Sequence, residues 1–145
     1  RTMPIEKWRK LIDAIISKGL HVIVIGSGGD FEYNRIGVTN LKGKLAIQHI
    51  NYLCQLSYAF IGMDSGMLHV AGATNENTCR IFGLFTCAES KYRIPFRKNV
   101  YSIQADIECY GCLNRIAPPV TFINCERGDN ECVNRLNIEQ LIEMI

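Results

Sequence analysis

Residues 58–74 read Y-A-F-I-G-M-D-S-G-M-L-H-V-A-G-A-T, and this stretch decides the fold. It divides into an apolar run, the turn Asp64-Ser65-Gly66, and a helix rich in small residues. A continuous apolar run suits a strand of a parallel sheet covered on both faces. Asp64 or Ser65 is placed to cap the helix by accepting one of its free N–H groups. Gly66 removes a side chain where the backbone would meet a ligand. The first N–H groups of the helix then favour an anion beyond the carboxyl end of the strand. His69 lies three residues past Gly66, on the same face and one turn in. A phosphate on Gly66 would have His69 within reach. A lone histidine among Met67, Leu68, Val70 and Ala71 is ordinarily a core residue, but the turn and the helix start favour a functional one.

The rest of the chain alternates in the same way. Pro4 opens a helix over 4–18, with Ile5, Trp8, Leu11, Ile12, Ile15 and Ile16 on one face and Gly19 as its stop. Residues 20–25 (L-H-V-I-V-I) read as a buried strand, followed by the loop 26–30. That loop is not a dinucleotide fingerprint, because Phe31 stands where the last glycine of G-x-G-x-x-G belongs. It reads as a tight turn or a ligand-facing loop. A short strand is expected over 35–39, a helix over 44–56, and strands over 78–82 and 100–104. A closing helix over 138–145 has Asn137 as its cap. Alternation of this kind predicts an α/β fold, a Rossmann-like parallel sheet flanked by helices with right-handed crossovers. Ligands of such sheets sit outside the carboxyl ends of the strands. Three loops converge there: 26–30, 64–66 and 83–86.

Composition bounds the function. At 145 residues the chain reads as one domain, soluble and globular, with 48% hydrophobic and 21% charged residues. A net charge of +2 is too small to argue for nucleic acid. No apolar run approaches the roughly 20 residues that span a bilayer. The sequence begins R-T-M-P-I-E-K-W, with neither a signal peptide nor an initiating Met, as a fragment would. Gly62-Met63-Asp64-Ser65-Gly66 has the outline of a nucleophile elbow, but no histidine follows His69 to activate water. His21 and His49 lack a functional context.

Seven cysteines are many for this length. Cys54 and Cys79 read as buried thiols, and Cys87 shows no spacing to a partner. Cys109, Cys112, Cys125 and Cys132 fall in the irregular segment 105–135, as C-x-x-C and a looser second pair. Such spacing suits a tetrahedral zinc or iron site. Disulfides and simple thiols are the competing readings. The absence of a secretory signal favours a reducing compartment.

The sequence resembles glycosyltransferase family 9, the heptosyltransferases that build bacterial lipopolysaccharide core. F-I-G-M-D-S-G-M-L-H-V-A-G-A matches the family's D-[ST]-G-x-x-H-x-x-A core. R-T-M-P-I-E-K-W resembles K-x-W-P-x-x-x-W, with Arg1 where the family has a phosphate-binding lysine. I-V-I-G-S-G-G-D resembles the strand and glycine loop whose following acidic residue contacts the ribose, a place for Asp30 or Glu32. I-F-G-L-F-T stands for F-G-P-T, and C-Y-G-C and C-V-N-R-L-N-I-E-Q-L resemble the cysteine-bearing tail of several members. The likeness implies the C-terminal half of a GT-B glycosyltransferase, with 1–145 as its donor-binding domain. The first strand and the N-terminal acceptor domain, with the family's proposed base, would lie outside the chain.

The implied reaction is inverting transfer of a heptose-like sugar from a nucleotide-diphospho-sugar to a glycan or lipopolysaccharide-core hydroxyl. The resemblance gives the donor phosphates to Ser65, Gly66, His69 and Arg1. Asp64 would order the turn or hold a sugar hydroxyl. No catalytic base is expected in this chain. The expected location is cytoplasmic, peripheral at the inner membrane face. The alternative is a non-catalytic nucleotide-binding or assembly module organised around a four-cysteine metal site.

Overall fold

The computed structural model describes residues 2–27, 32–74, 79–95, 97–115, 125 and 127–145. Helix α1 (Ile5–Ser17) starts behind Pro4, whose carbonyl accepts from the Lys7 and Trp8 N–H groups. Its predicted stripe buries Leu11, Ile12 and Ile15. It ends at Gly19, which takes φ +80 and donates to the Ile16 carbonyl at 2.9 Å. Strand β1 (Val22–Val24) pairs in parallel with β2 (Val38–Asn40). Helix α2 (Ile47–Leu56) leads to β3 (Ala59–Met63), and α3 (Gly66–Gly72) leads to β4 (Arg80–Phe85). Strand β5 (Val100–Gln104) and helix α4 (Ile138–Met144) complete the set.

Strands β3, β4 and β5 form a second parallel sheet with β4 in the middle. The core sits on β4, where period two divides the side chains between the faces. Phe82 and Leu84 join Leu11, Ile103 and Leu141 on the side of α1 and α4. Ile81 and Phe85 join Ile50, Cys54 and Leu68 on the side of α2 and α3. Two lysines of α1 and the one that follows it tie α4 and the segment before it: Lys7 donates to the Asn134 and Leu136 carbonyls, Lys10 pairs with Glu139, and Lys18 donates to the Ile142 carbonyl. Asn137 caps α4 as predicted, accepting from the Gln140 N–H at 3.0 Å.

Three expectations need correction. The strand predicted over 35–39 begins only at Val38, because Gly37 takes φ +90 in the turn before it. The loop predicted over 83–86 is strand as far as Phe85, with Gly83 paired to Gly62 and Ser102. A Cβ on Gly83 would lie 2.6 Å from the Phe85 ring, so that glycine serves packing. Strand β3 is not covered on both faces; only Phe60 of its five residues is buried.

The reason is a gap between the two sheets. An apolar cavity of about 560 Å³ separates β1 from β3. Residues 22–25 and 58–61 both line it. Successive residues of a strand point to opposite faces, so four in a row around one cavity present the strand's edge. Trp8, Leu11 and Ile15 of α1 and Leu53, Cys54 and Leu56 of α2 complete the walls. Trp8 is therefore half-buried beside an opening, short of the full core position its stripe suggested.

Candidate functional site

The carboxyl end of β3 delivers the turn Asp64-Ser65-Gly66. The Asp64 N–H donates to the Leu84 carbonyl at 3.1 Å and fixes the turn to β4. Ser65 holds the N-cap position in extended backbone (φ −154), but its side chain makes no capping hydrogen bond. Nor is Asp64 the cap. Its carboxylate faces the Arg93 guanidinium at 3.5 Å, with the Asp64 side chain only 16% exposed. The predicted side-chain cap is thus replaced by an ion pair that orders the turn from outside the helix. Sequence reasoning missed Arg93, which arrives from a loop with no motif.

Ser65, Gly66 and His69 stand together at the surface. A Cβ on Gly66 would meet nothing within 4 Å, so the space in front of this backbone is open. His69 is exposed, which removes the core-histidine reading; the buried members of α3 are Leu68 and Ala71. The helix has only 7 residues, so its dipole is a short one. Exposed donors and an unshielded glycine at a sheet's carboxyl edge can accept an oxyanion. Nothing among Ser65, Gly66 and His69 is placed as a buried general base.

Of the other predicted contacts, Arg1 and Asp30 lie outside the described residues. Glu32 is exposed beyond the loop that follows β1. Thr86 is buried and lines a cavity with cysteines. His21 and His49 are both exposed: His21 bonds Thr39 Oγ1 at 2.8 Å, and the Nδ1 of His49 accepts the Ala46 N–H at the start of α2. Among the described residues no helix is long and apolar enough to cross a membrane.

The cysteines divide into two groups, and none of the seven is in a disulfide. Cys54 and Cys79 are core residues, as predicted. Burial, helped by the neighbouring Cys79, pushes the Cys54 thiol up to about 12. Burial also raises the Cys79 thiol. The other five, Cys87, Cys109, Cys112, Cys125 and Cys132, line one small cavity of about 10 Å³. Backbone N–H groups of the turn that follows, Asn130 foremost, hold the Cys125 thiol below its usual range. Among the described residues no three His, Cys, Asp or Glu side chains stand close enough to hold a metal ion. The four-cysteine site is therefore gathered around a cavity but not closed into a ligand set.

A parallel α/β sheet with an open turn at its carboxyl edge defines the doubly wound class of ligand-binding domains. A family model for glycosyltransferase family 9 (heptosyltransferase) matches residues 1–119, and the chain belongs to that family. Among solved structures, the E. coli ADP-heptose lps heptosyltransferase II matches with a TM-score of 0.62 at 23% identity. The match covers 96% of this chain and 42% of that one, so the chain spans well under half of that enzyme's length. No curated protein matches the sequence at a significant level.

Proposed function

We propose that this chain is the donor-binding half of a sugar transferase that takes a heptose-like sugar from a nucleotide-diphospho-sugar to a glycan or lipopolysaccharide-core hydroxyl. The observation that carries the reading is the family's D-S-G-x-x-H core, with Gly66 unshielded and His69 exposed beside it at the carboxyl edge of β3. Transfer needs a base at the acceptor hydroxyl and stabilisation of the departing diphosphate. Ser65, Gly66 and His69 supply the second: N–H and imidazole donors offset negative charge as the sugar leaves. Arg1 joins them on the family likeness, and Asp30 or Glu32 takes the ribose. Asp64, already paired with Arg93, keeps the turn in shape. The base belongs to an acceptor domain beyond this chain, and the place of action is the cytoplasmic face of the inner membrane, where such acceptors are built.

The gap between β1 and β3 supports the reading of 1–145 as part of a larger domain. In the doubly wound order 3-2-1-4-5-6, the first strand lies between the second and the fourth. Here the order is β2-β1, a gap, then β3-β4-β5, which fills the other five places. A further parallel strand, apolar on both faces, fits between two open edges and two helical layers.

Calorimetry with ADP and adenosine, on wild type and His69→Ala, tests the donor site. Wild type is expected to prefer ADP, and His69→Ala to lose affinity for ADP at least about tenfold while adenosine changes little. Equal loss for both ligands, or none for either, would remove His69 from the site.

A further inference from the structure

Five cysteines, of which only Cys132 belongs to the core, come from three separate segments and meet at one cavity. Cys87 follows β4, Cys109 and Cys112 follow β5, and Cys125 and Cys132 precede α4. Spacing in the sequence offers no reason to count Cys87 with the others. The chain nevertheless ties it to them: the Leu113 N–H donates to the Cys87 carbonyl at 2.9 Å, and the Cys112 thiol reaches the same oxygen at 3.9 Å. Each tail turn carries a glycine in the left-handed region, Gly111 at φ +79 and Gly128 at φ +76. The Cys112 N–H bonds the Cys109 carbonyl and the Gly128 N–H bonds the Cys125 carbonyl, so both turns are tight. A Cβ on Gly111 would lie 2.6 Å from Glu89 Cγ, which presses the C-Y-G-C turn against the loop that carries Cys87.

The cavity, about 10 Å³, is the size of one water or ion and leaves no room for an organic ligand. Five cysteines and no histidine line this ion-sized space, with Asp129 and Glu131 also in its wall; the thiols are the soft donors, and they favour zinc-like cations in tetrahedral sulfur coordination. We propose that this cavity binds one soft divalent cation, for which zinc is the probe, through four of the five thiols, with Cys87 among the four. Among the described residues the thiols line the cavity without closing into a ligand set, so coordination would have to draw its walls together. Each ligand loses its S–H proton to solvent as its bond to the cation forms, and no oxidant or reductant takes part. Coordination of that kind would fasten the segment before α4 to the end of β4.

The experiment uses the whole chain, purified under reducing conditions without added metal. About one zinc per chain is expected by elemental analysis. Cobalt added to the stripped chain should give the sulfur-to-metal charge-transfer band and the visible bands of a tetrahedral site. Serine variants of the five cysteines, in competition with a chelator, should show four that weaken zinc binding at least tenfold and one that does not. Alkylation of wild type with and without zinc, read by mass spectrometry, should find Cys87 protected by the metal, which needs no variant to fold. Absence of zinc and of the cobalt bands, or disulfides among the five under reducing conditions, would overturn the site. Unchanged alkylation of Cys87, or wild-type affinity in Cys87→Ser, would overturn its place among the ligands.

Discussion

Among the described glycines, Gly66 separates a binding role from a folding role most cleanly. An added Cβ there meets nothing within 4 Å, and Gly66 is not among the residues with positive φ. Gly66→Ala should therefore leave the fold intact. Replacing glycine where alanine fits without strain raises stability by about 0.4–1 kcal/mol, because the unfolded chain has less freedom to lose. For a domain of this size that is about 1–4 °C in thermal midpoint, upward. The same methyl group would stand in the open space that the donor phosphate is proposed to fill. Affinity for ADP should fall at least about tenfold, the loss of one charge-assisted hydrogen bond. Gly83→Ala is the contrast, since its Cβ would lie 2.6 Å from Phe85 and 3.1 Å from Leu68. Overpacking of that kind costs about 1–3 kcal/mol and touches no exposed donor. Thermal melts and ADP calorimetry on the two variants decide the matter. Gly66→Ala that melts lower than wild type, or binds ADP as well as wild type, would refute the reasoning.

Further outcomes follow from the same packing. Trp8→Ala should cost less than the roughly 3–5 kcal/mol of a fully buried tryptophan, because Trp8 borders the cavity between β1 and β3; denaturant titration measures it. Cys54 should resist alkylation in the folded chain at pH 8, since burial holds its pKa near 12. The sign for stability is set by that upward shift. The buried thiol's contribution is complete below the unfolded value and is lost as pH rises from about 9 toward 12. The slope approaches about 1.4 kcal/mol per pH unit, visible in melts across that range. Glu139→Gln should change stability by less than about 1 kcal/mol, because its pair with Lys10 is solvent-exposed and screened by salt.

What the sequence revealed was local, and what it hid was long-range. The stripe of α1, its stop at Gly19, strand β5 and the Asn137 cap all depend on neighbours within a few residues, and each was legible. Helix α2 begins at Ile47, three residues later than the apolar pattern allowed, with the His49 imidazole bonding the Ala46 N–H. Gly83 looks like a loop residue in sequence. Its place in β4 follows from pairing with Gly62 and Ser102 and from the Phe85 ring that fills its missing side chain. Of the proposed donor site, the exposure of Gly66 and His69 side by side follows from the turn and the helical period. The Asp64–Arg93 pair joins residues 29 apart in sequence, and no period links them. Cys87 joins the other cysteines for the same kind of reason, through the order of the strands.

The two halves of the proposed donor site stand on opposite sides of the gap in the sheet. Strand β1 leads into the loop after Ile25, where the ribose contact is assigned, and β3 leads into Asp64-Ser65-Gly66. No hydrogen bond of the sheets joins β1 to β3, so nothing in the ladders fixes the distance between these loops. A strand laid in the gap would pair with both edges and set that distance at two strand spacings, close to 10 Å. Filling the gap should therefore do more than bury apolar surface. It should pre-organise the nucleotide contacts, and a longer polypeptide that supplies the strand should bind ADP more tightly than residues 1–145 alone. The phosphate contacts at Ser65, Gly66 and His69 sit on the β3 side and should be affected least. The gain in affinity on lengthening should thus appear with the nucleoside as well as with the diphosphate, whereas the loss in His69→Ala should appear with the diphosphate alone.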